Sequence, residues 1–190
     1  MKKVEMYSQE ELEILLKAKA IVKSYKRSYL RDVIKYETGF DVIPMSDKLY
    51  QMLDNLCKDF ISQFNQDDTQ KTHSRFGWLV EAKFREFCKF ESPKGSGYPD
   101  CQIPSSIFEL APFVENKTYS ADSLGSSLRT FYYNSNNKIT RSTNHVLVGF
   151  EFGDSKEGKY LTGRYHIIDM YDKKMNHRHE IHCNNIELYG

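Results

Sequence analysis

The chain has 190 residues and a mass of 22.3 kDa, which suits one domain able to bury a sizeable core without disulfide staples. Hydrophobic residues make up 39% and charged residues 28%, a balance that excludes both a disordered and a membrane-embedded chain. The net charge of +1 excludes a uniformly basic nucleic-acid coat but leaves room for a local basic cleft.

The opening MKKVEMYSQEEL carries two lysines but no apolar stretch behind them, so no signal peptide is expected. No segment reaches the roughly 18 apolar residues of a membrane span. The cysteines Cys57, Cys88, Cys101 and Cys183 form no CxxC pair and are expected as reduced thiols in a cytoplasmic protein.

In chain order, Ser8-Gln9-Glu10-Glu11 is a capping box that opens a helix carrying Leu12, Leu15, Leu16, Ala18 and Val22. The window Lys17 to Lys35 holds seven Lys or Arg against Asp32, interleaved with Tyr25 and Tyr29. It is expected to be a solvated helix face, with a phosphate-tracking helix as the alternative. A second helix begins after Ser46, with Leu49, Met52, Leu53, Leu56, Cys57, Phe60 and Phe64 on one apolar face. A third runs from about Ser74 to Phe90, with Trp78, Leu79, Ala82, Phe84, Phe87 and Cys88 as its apolar content.

The Pro- and Gly-bearing segment from Glu91 to Gly97 is a loop. Short segments rich in β-branched and aromatic residues follow. They predict strands over Asp100–Ile103, Ile107–Leu110, Phe113–Tyr119, His145–Phe152 and Tyr160–Met170, with a weaker one over Glu180–Tyr189. Helices followed by strands imply an α/β or α+β domain with a mixed sheet. A single domain over 1–190 is expected, helical to about residue 90 and sheet-forming from about 98.

The chemistry concentrates in Gly97-Tyr98-Pro99-Asp100 and Phe113-Val114-Glu115-Asn116-Lys117. Glu115 and Lys117 are two apart on a strand and so share a face. The residues between Asp100 and Glu115 suffice for a strand, a turn and a return, so antiparallel pairing can bring the two carboxylates together. Two converging carboxylates make a hard-oxygen site suited to Mg²⁺. Lys117 beside them can orient or deprotonate an attacking water and can stabilise charge on a phosphorane-like transition state.

Upstream, Gly77-Trp78-Leu79-Val80-Glu81 lies on the third helix. A helical Gly-x-x-x-Glu, then Asp, then Glu-x-Lys resembles the PD-(D/E)XK nuclease superfamily, and type II restriction endonucleases in particular, over about residues 74 to 152. The resemblance implies a restriction-endonuclease-like core, a mixed sheet flanked by helices. It implies that Asp100 and Glu115 hold Mg²⁺, that Lys117 serves the nucleophilic water, and that Glu81 is an accessory carboxylate. The stretch from Glu115 to Phe131 is also similar to the region after the catalytic strand in MutH-like nucleases.

Residues 116 to 149 carry Lys117, Arg129, Lys138 and Arg141 against the single acid Asp122. Arg129, Lys138 and Arg141, with hydroxyls such as Ser126 and Ser127, are the candidate DNA contacts, because guanidinium, ammonium and hydroxyl groups are what phosphates and base edges accept. His177, His179, His182 and Cys183 have zinc-ligand chemistry but alternate between strand faces, so a zinc site is not expected.

The expectation is a Mg²⁺-dependent type II restriction endonuclease acting on double-stranded DNA. A two-fold homodimer would cut both strands of a palindrome. A companion methyltransferase is expected by the resemblance alone. A MutH-like strand nickase, a DNA-repair nuclease and a non-catalytic DNA-binding domain remain open.

Overall fold

The computed structural model describes residues 8–23, 27–66, 75–94, 97–123, 133 and 138–176. The elements are α1 (Gln9–Lys23), β1 (Arg27–Tyr29), α2 (Leu30–Thr38), β2 (Val42–Ile43), α3 (Asp47–Phe64) and α4 (Phe76–Cys88). They continue with β3 (Cys101–Gln102), β4 (Phe113–Ser120), β5 (Thr143–Ser155), β6 (Gly158–Asp169) and β7 (Lys174–Asn176). The fold is α+β, with a mixed sheet flanked by helices, as expected.

The cap chemistry places the helix starts. The Ser8 amide donates to Glu11 and the Glu11 amide to Ser8 Oγ, at 2.7 and 3.2 Å, so the capping box forms. Ser46 caps α3 by accepting from the Leu49 amide.

β5 is the centre of the five-stranded sheet. On one edge it pairs in parallel with β4, from Phe113↔His145 to Ser120↔Phe152. On the other edge it pairs first with β2 in parallel and then with β6 in an antiparallel hairpin. The short β3 pairs antiparallel with β4, Cys101 opposite Val114.

Alternation along the strands sends side chains into two cores. Val114, Val146, Val148 and Phe150 pack with the apolar faces of α3 and α4. Phe60, Phe84 and Phe150 form a set of edge-to-face and tilted rings at 4.9 to 5.3 Å. Phe113 packs on the other side with Leu30 and Ile34 of α2 and with Ile139 and Met170.

Several expectations change. Ile107–Leu110 is a series of turns: Pro104 O accepts from the Ile107 and Phe108 amides, and Ala111 adopts a left-handed backbone. Pro104 and Pro112 flank the segment and each lacks a ladder donor. The window from Lys17 to Lys35 is not one helix. It includes β1 and most of α2, which the charge pattern hid, and several of its cations have internal partners. Arg31 stacks between the Tyr29 and Tyr171 rings and pairs with Asp172, and Lys35 pairs with Asp41. The Glu180–Tyr189 strand lies outside the described residues.

Candidate active site

The β3–β4 register carries Asp100 to Glu115. With Cys101 opposite Val114, the next step outward sets Asp100 across from Glu115. The Asp100 amide donates to Glu115 Oε2 at 3.1 Å, and the Asn116 amide donates to Asp100 Oδ2 at 3.1 Å. Each strand's backbone thus holds the other strand's carboxylate. Lys117 closes the cluster: its Nζ lies 2.7 Å from Glu115 Oε1 and 3.3 Å from Asp100 Oδ2.

Glu81 reaches this cluster because α4 lies unusually close to β4. A Cβ at Gly77 would lie 2.5 Å from Thr118 Oγ1, well inside contact distance. Only glycine permits this approach, and Glu81 follows one turn later on the same face. Glycine in the Gly-x-x-x-Glu pattern is therefore a packing requirement.

The protonation states follow from burial and charge. Glu81 is pushed up to about 7 by desolvation; Asp100 and Glu115 add to this while Lys117 and Arg85 oppose it. Glu115, with only 5% of its side chain exposed, is also pushed up, chiefly by desolvation. Burial works against the Lys117 ammonium, but Glu115, Asp100 and Glu81 outweigh it, and its pKa is raised.

A cleft opens onto the carboxylates, lined by Trp78, Glu81, Ala82, Arg85, Asp100 and Asn116. Trp78, part of the helix's apolar content, is 63% exposed and forms cleft wall. The signal was its position. Trp78, Glu81 and Arg85 are three and four apart and share one helix face.

The other candidates are placed differently. Arg129, Ser126 and Ser127, and the His177, His179, His182 and Cys183 group, lie outside the described residues. Lys138 is buried, with Nζ donating to the carbonyls of Gly97 and Pro99 at 2.6 and 2.9 Å. Arg141 donates to Gln102 Oε1 and Ala111 O and stacks over Phe113. Both cations hold the protein's own chain. Sequence reasoning also missed the buried pair Tyr98–His145, with Tyr98 Oη 2.7 Å from His145 Nδ1. Only the tertiary fold joins these positions.

The fold and the cluster define an α+β domain whose mixed sheet gathers two carboxylates and a lysine beside a cleft that Asp100 lines, with a third carboxylate on the adjoining helix. The chain belongs to the type II restriction enzyme MjaV family, whose model matches residues 23–190 and so spans the whole cluster. It is similar to the type II restriction enzyme MjaV of Methanocaldococcus jannaschii, with 22% identity over 95% of this chain and 92% of that protein. No solved structure matches the chain.

Proposed function

We propose that this protein is a Mg²⁺-dependent endodeoxyribonuclease that hydrolyses both strands of duplex DNA at a short specific sequence. The observation that carries the reading is the Lys117 ammonium bridging Glu115 and Asp100, the latter lining the cleft. Membership of a type II restriction enzyme family supports the substrate.

The donor set fits a hard divalent cation. Asp100 and Glu115 offer two convergent carboxylates, and Mg²⁺ characteristically takes one or two carboxylates while keeping several waters. Among the described residues no three His, Cys, Asp or Glu side chains form a ready-made metal cage, so the proposed anchor offers two protein carboxylates and leaves the other positions to water. Bound there, the cation would supply Lewis-acid polarisation of the phosphoryl oxygen and a more acidic water.

The chain's own groups do the rest. Lys117 enters as the ammonium, so it donates to the attacking water oxygen and opposes negative charge building on the phosphoryl oxygens. Water adds to phosphorus and gives up its proton to a carboxylate of the cluster, while the bond to the departing sugar oxygen breaks and that oxygen takes up a proton from solvent. Glu81, held partly protonated near neutrality, is the accessory acid. Among the described residues each chain has one such cluster, so a two-fold homodimer is the simplest way to cut both strands of a palindrome, and a companion methyltransferase would protect the host's own sites.

The test incubates long unmethylated duplex DNA and a supercoiled plasmid with the protein, in Mg²⁺ or EDTA. Discrete Mg²⁺-dependent fragments, lost in Lys117→Ala with DNA binding retained, are the expected result. Nicked plasmid with intact linear DNA would replace this reading by a MutH-like nickase. A metal-dependent smear would point to a degradative or repair nuclease. Binding without cleavage under every condition would leave a DNA-binding domain.

A further inference from the structure

Asp100 has little regular structure to hold it. The preceding turn starts at Gly97, in a left-handed backbone that favours glycine, and the following strand has only two residues. Yet its carboxylate must meet Glu115 and Lys117 to within a fraction of an ångström for the site to work.

A second segment, 138–145, holds this turn from behind. Lys138 Nζ donates to the carbonyls on both sides of Tyr98, Gly97 O at 2.6 Å and Pro99 O at 2.9 Å, with 8% of the residue exposed. The Tyr98 hydroxyl meets His145 Nδ1 at 2.7 Å, both residues fully buried. Arg141 Nη2 reaches Gln102 Oε1 at 3.0 Å on the far side of Asp100. The segment is itself anchored by Ile139, buried against the α2 core. Positions 97, 98, 99 and 102 are therefore all tied to one stretch of chain.

We propose that Lys138 is a positioning residue: its ammonium, bonded to the Gly97 and Pro99 carbonyls, fixes the turn that aims the Asp100 carboxylate at the Glu115–Lys117 pair. This rests on the nuclease reading above. It gives Lys138 a different task from the phosphate contact that its basic, polar sequence surroundings suggest. Without the ammonium, two carbonyls lose their donor and the turn gains freedom. Asp100 then spends less time in register with Glu115.

The test compares wild type, Lys138→Met, Lys138→Arg and Lys138→Gln by Mn²⁺ titration of the DNA-free protein, followed by the electron paramagnetic resonance signal of free Mn²⁺. Only binding that Asp100→Asn abolishes is counted. The expected result is a loss of affinity of about 10- to 100-fold in Lys138→Met, the range found when groups supporting a metal ligand are removed. Lys138→Arg, which keeps two donors, should recover part of it. Duplex binding is then measured at several salt concentrations for Lys117→Ala with and without Lys138→Met. Affinity and salt slope should be unchanged.

Unchanged Mn²⁺ affinity in a folded Met or Gln variant overturns the proposal and leaves the nuclease reading standing. Weaker DNA binding with a salt slope shallower by about 0.9 makes Lys138 a phosphate contact and overturns it too. Failure of both the Met and Gln variants to melt cooperatively would make Lys138 a folding residue instead. If wild type itself binds no Mn²⁺ at Asp100, the metal reading fails and takes this proposal with it.

Discussion

Glu81→Gln should make the metal-free protein more stable at alkaline pH and leave it unchanged in acid. Glu81 is raised from 4.5 to about 7 in the folded chain, chiefly by burial. Between those values the folded chain keeps a proton that the unfolded chain has released, so stability falls as pH rises. Below pH 4.5 both states are protonated and the penalty vanishes. At 1.36 kcal/mol per unit the whole shift is worth about 3 kcal/mol. Glu81 is still partly open to solvent through the cleft, and screening reduces this to about 1–2 kcal/mol. For a chain of this size that is a rise in Tm of about 2–8 °C. Melting curves of wild type and Glu81→Gln in EDTA at about pH 3.5 and pH 8 measure it. The two proteins should coincide at the lower pH and separate at the higher. An equal difference at both pH values would show that Glu81 is not held protonated by its surroundings, and the electrostatic account of the cluster would be wrong.

His145 should act in the opposite direction. Burial, with Arg141 nearby, pushes its imidazole down to about 3, so the folded chain stays neutral there while the unfolded chain takes up a proton below about 6.5. Wild-type stability should therefore fall as pH drops from 6.5 towards 3, and urea unfolding of His145→Gln should show a shallower acid slope. Gly77→Ala, which would normally strengthen a helix by about 1 kcal/mol, should instead destabilise by about 1 kcal/mol because its Cβ meets the stiff Thr118 side chain. Thr118→Ala in the same chain should restore the loss, and a more stable single variant would refute the close approach. Trp78 is the chain's one tryptophan, so its fluorescence reports on the cleft alone. Adding duplex DNA to Lys117→Ala without metal should shift and quench it, whereas binding seen by gel shift with constant fluorescence would remove α4 from the DNA interface.

The legible part of the site was local. Glu115 and Lys117 sit two apart on a strand, and period-two alternation fixes a shared face whatever surrounds them. Asp100 was legible at one remove, because the chain between it and Glu115 allows an antiparallel return. The turn interval Ile107–Leu110 was misread since β-branched and aromatic content mimics a strand, while flanking prolines remove the ladder donors that a strand needs. β1 and most of α2 were hidden because their cations looked solvated; Arg31 shows its partner Asp172 only once distant segments meet, while Lys35 pairs with Asp41 just past the end of its own helix.

By itself the sequence determined the helix starts at Ser8 and Ser46, the shared face of Glu115 and Lys117 and the α+β class, since caps and alternation act within a few residues. Only the tertiary structure decided what the cations and the lone tryptophan do. Lys138 and Arg141 look like DNA contacts among serines and asparagines, yet carbonyls some forty residues away take up Lys138 and Gln102 takes up Arg141. Trp78 reads in the sequence only as apolar content of its helix, yet it lines the cleft. A side chain's partner is set by which segments the fold brings together, and hydrogen bonds and burial at that range leave no periodic mark in the chain.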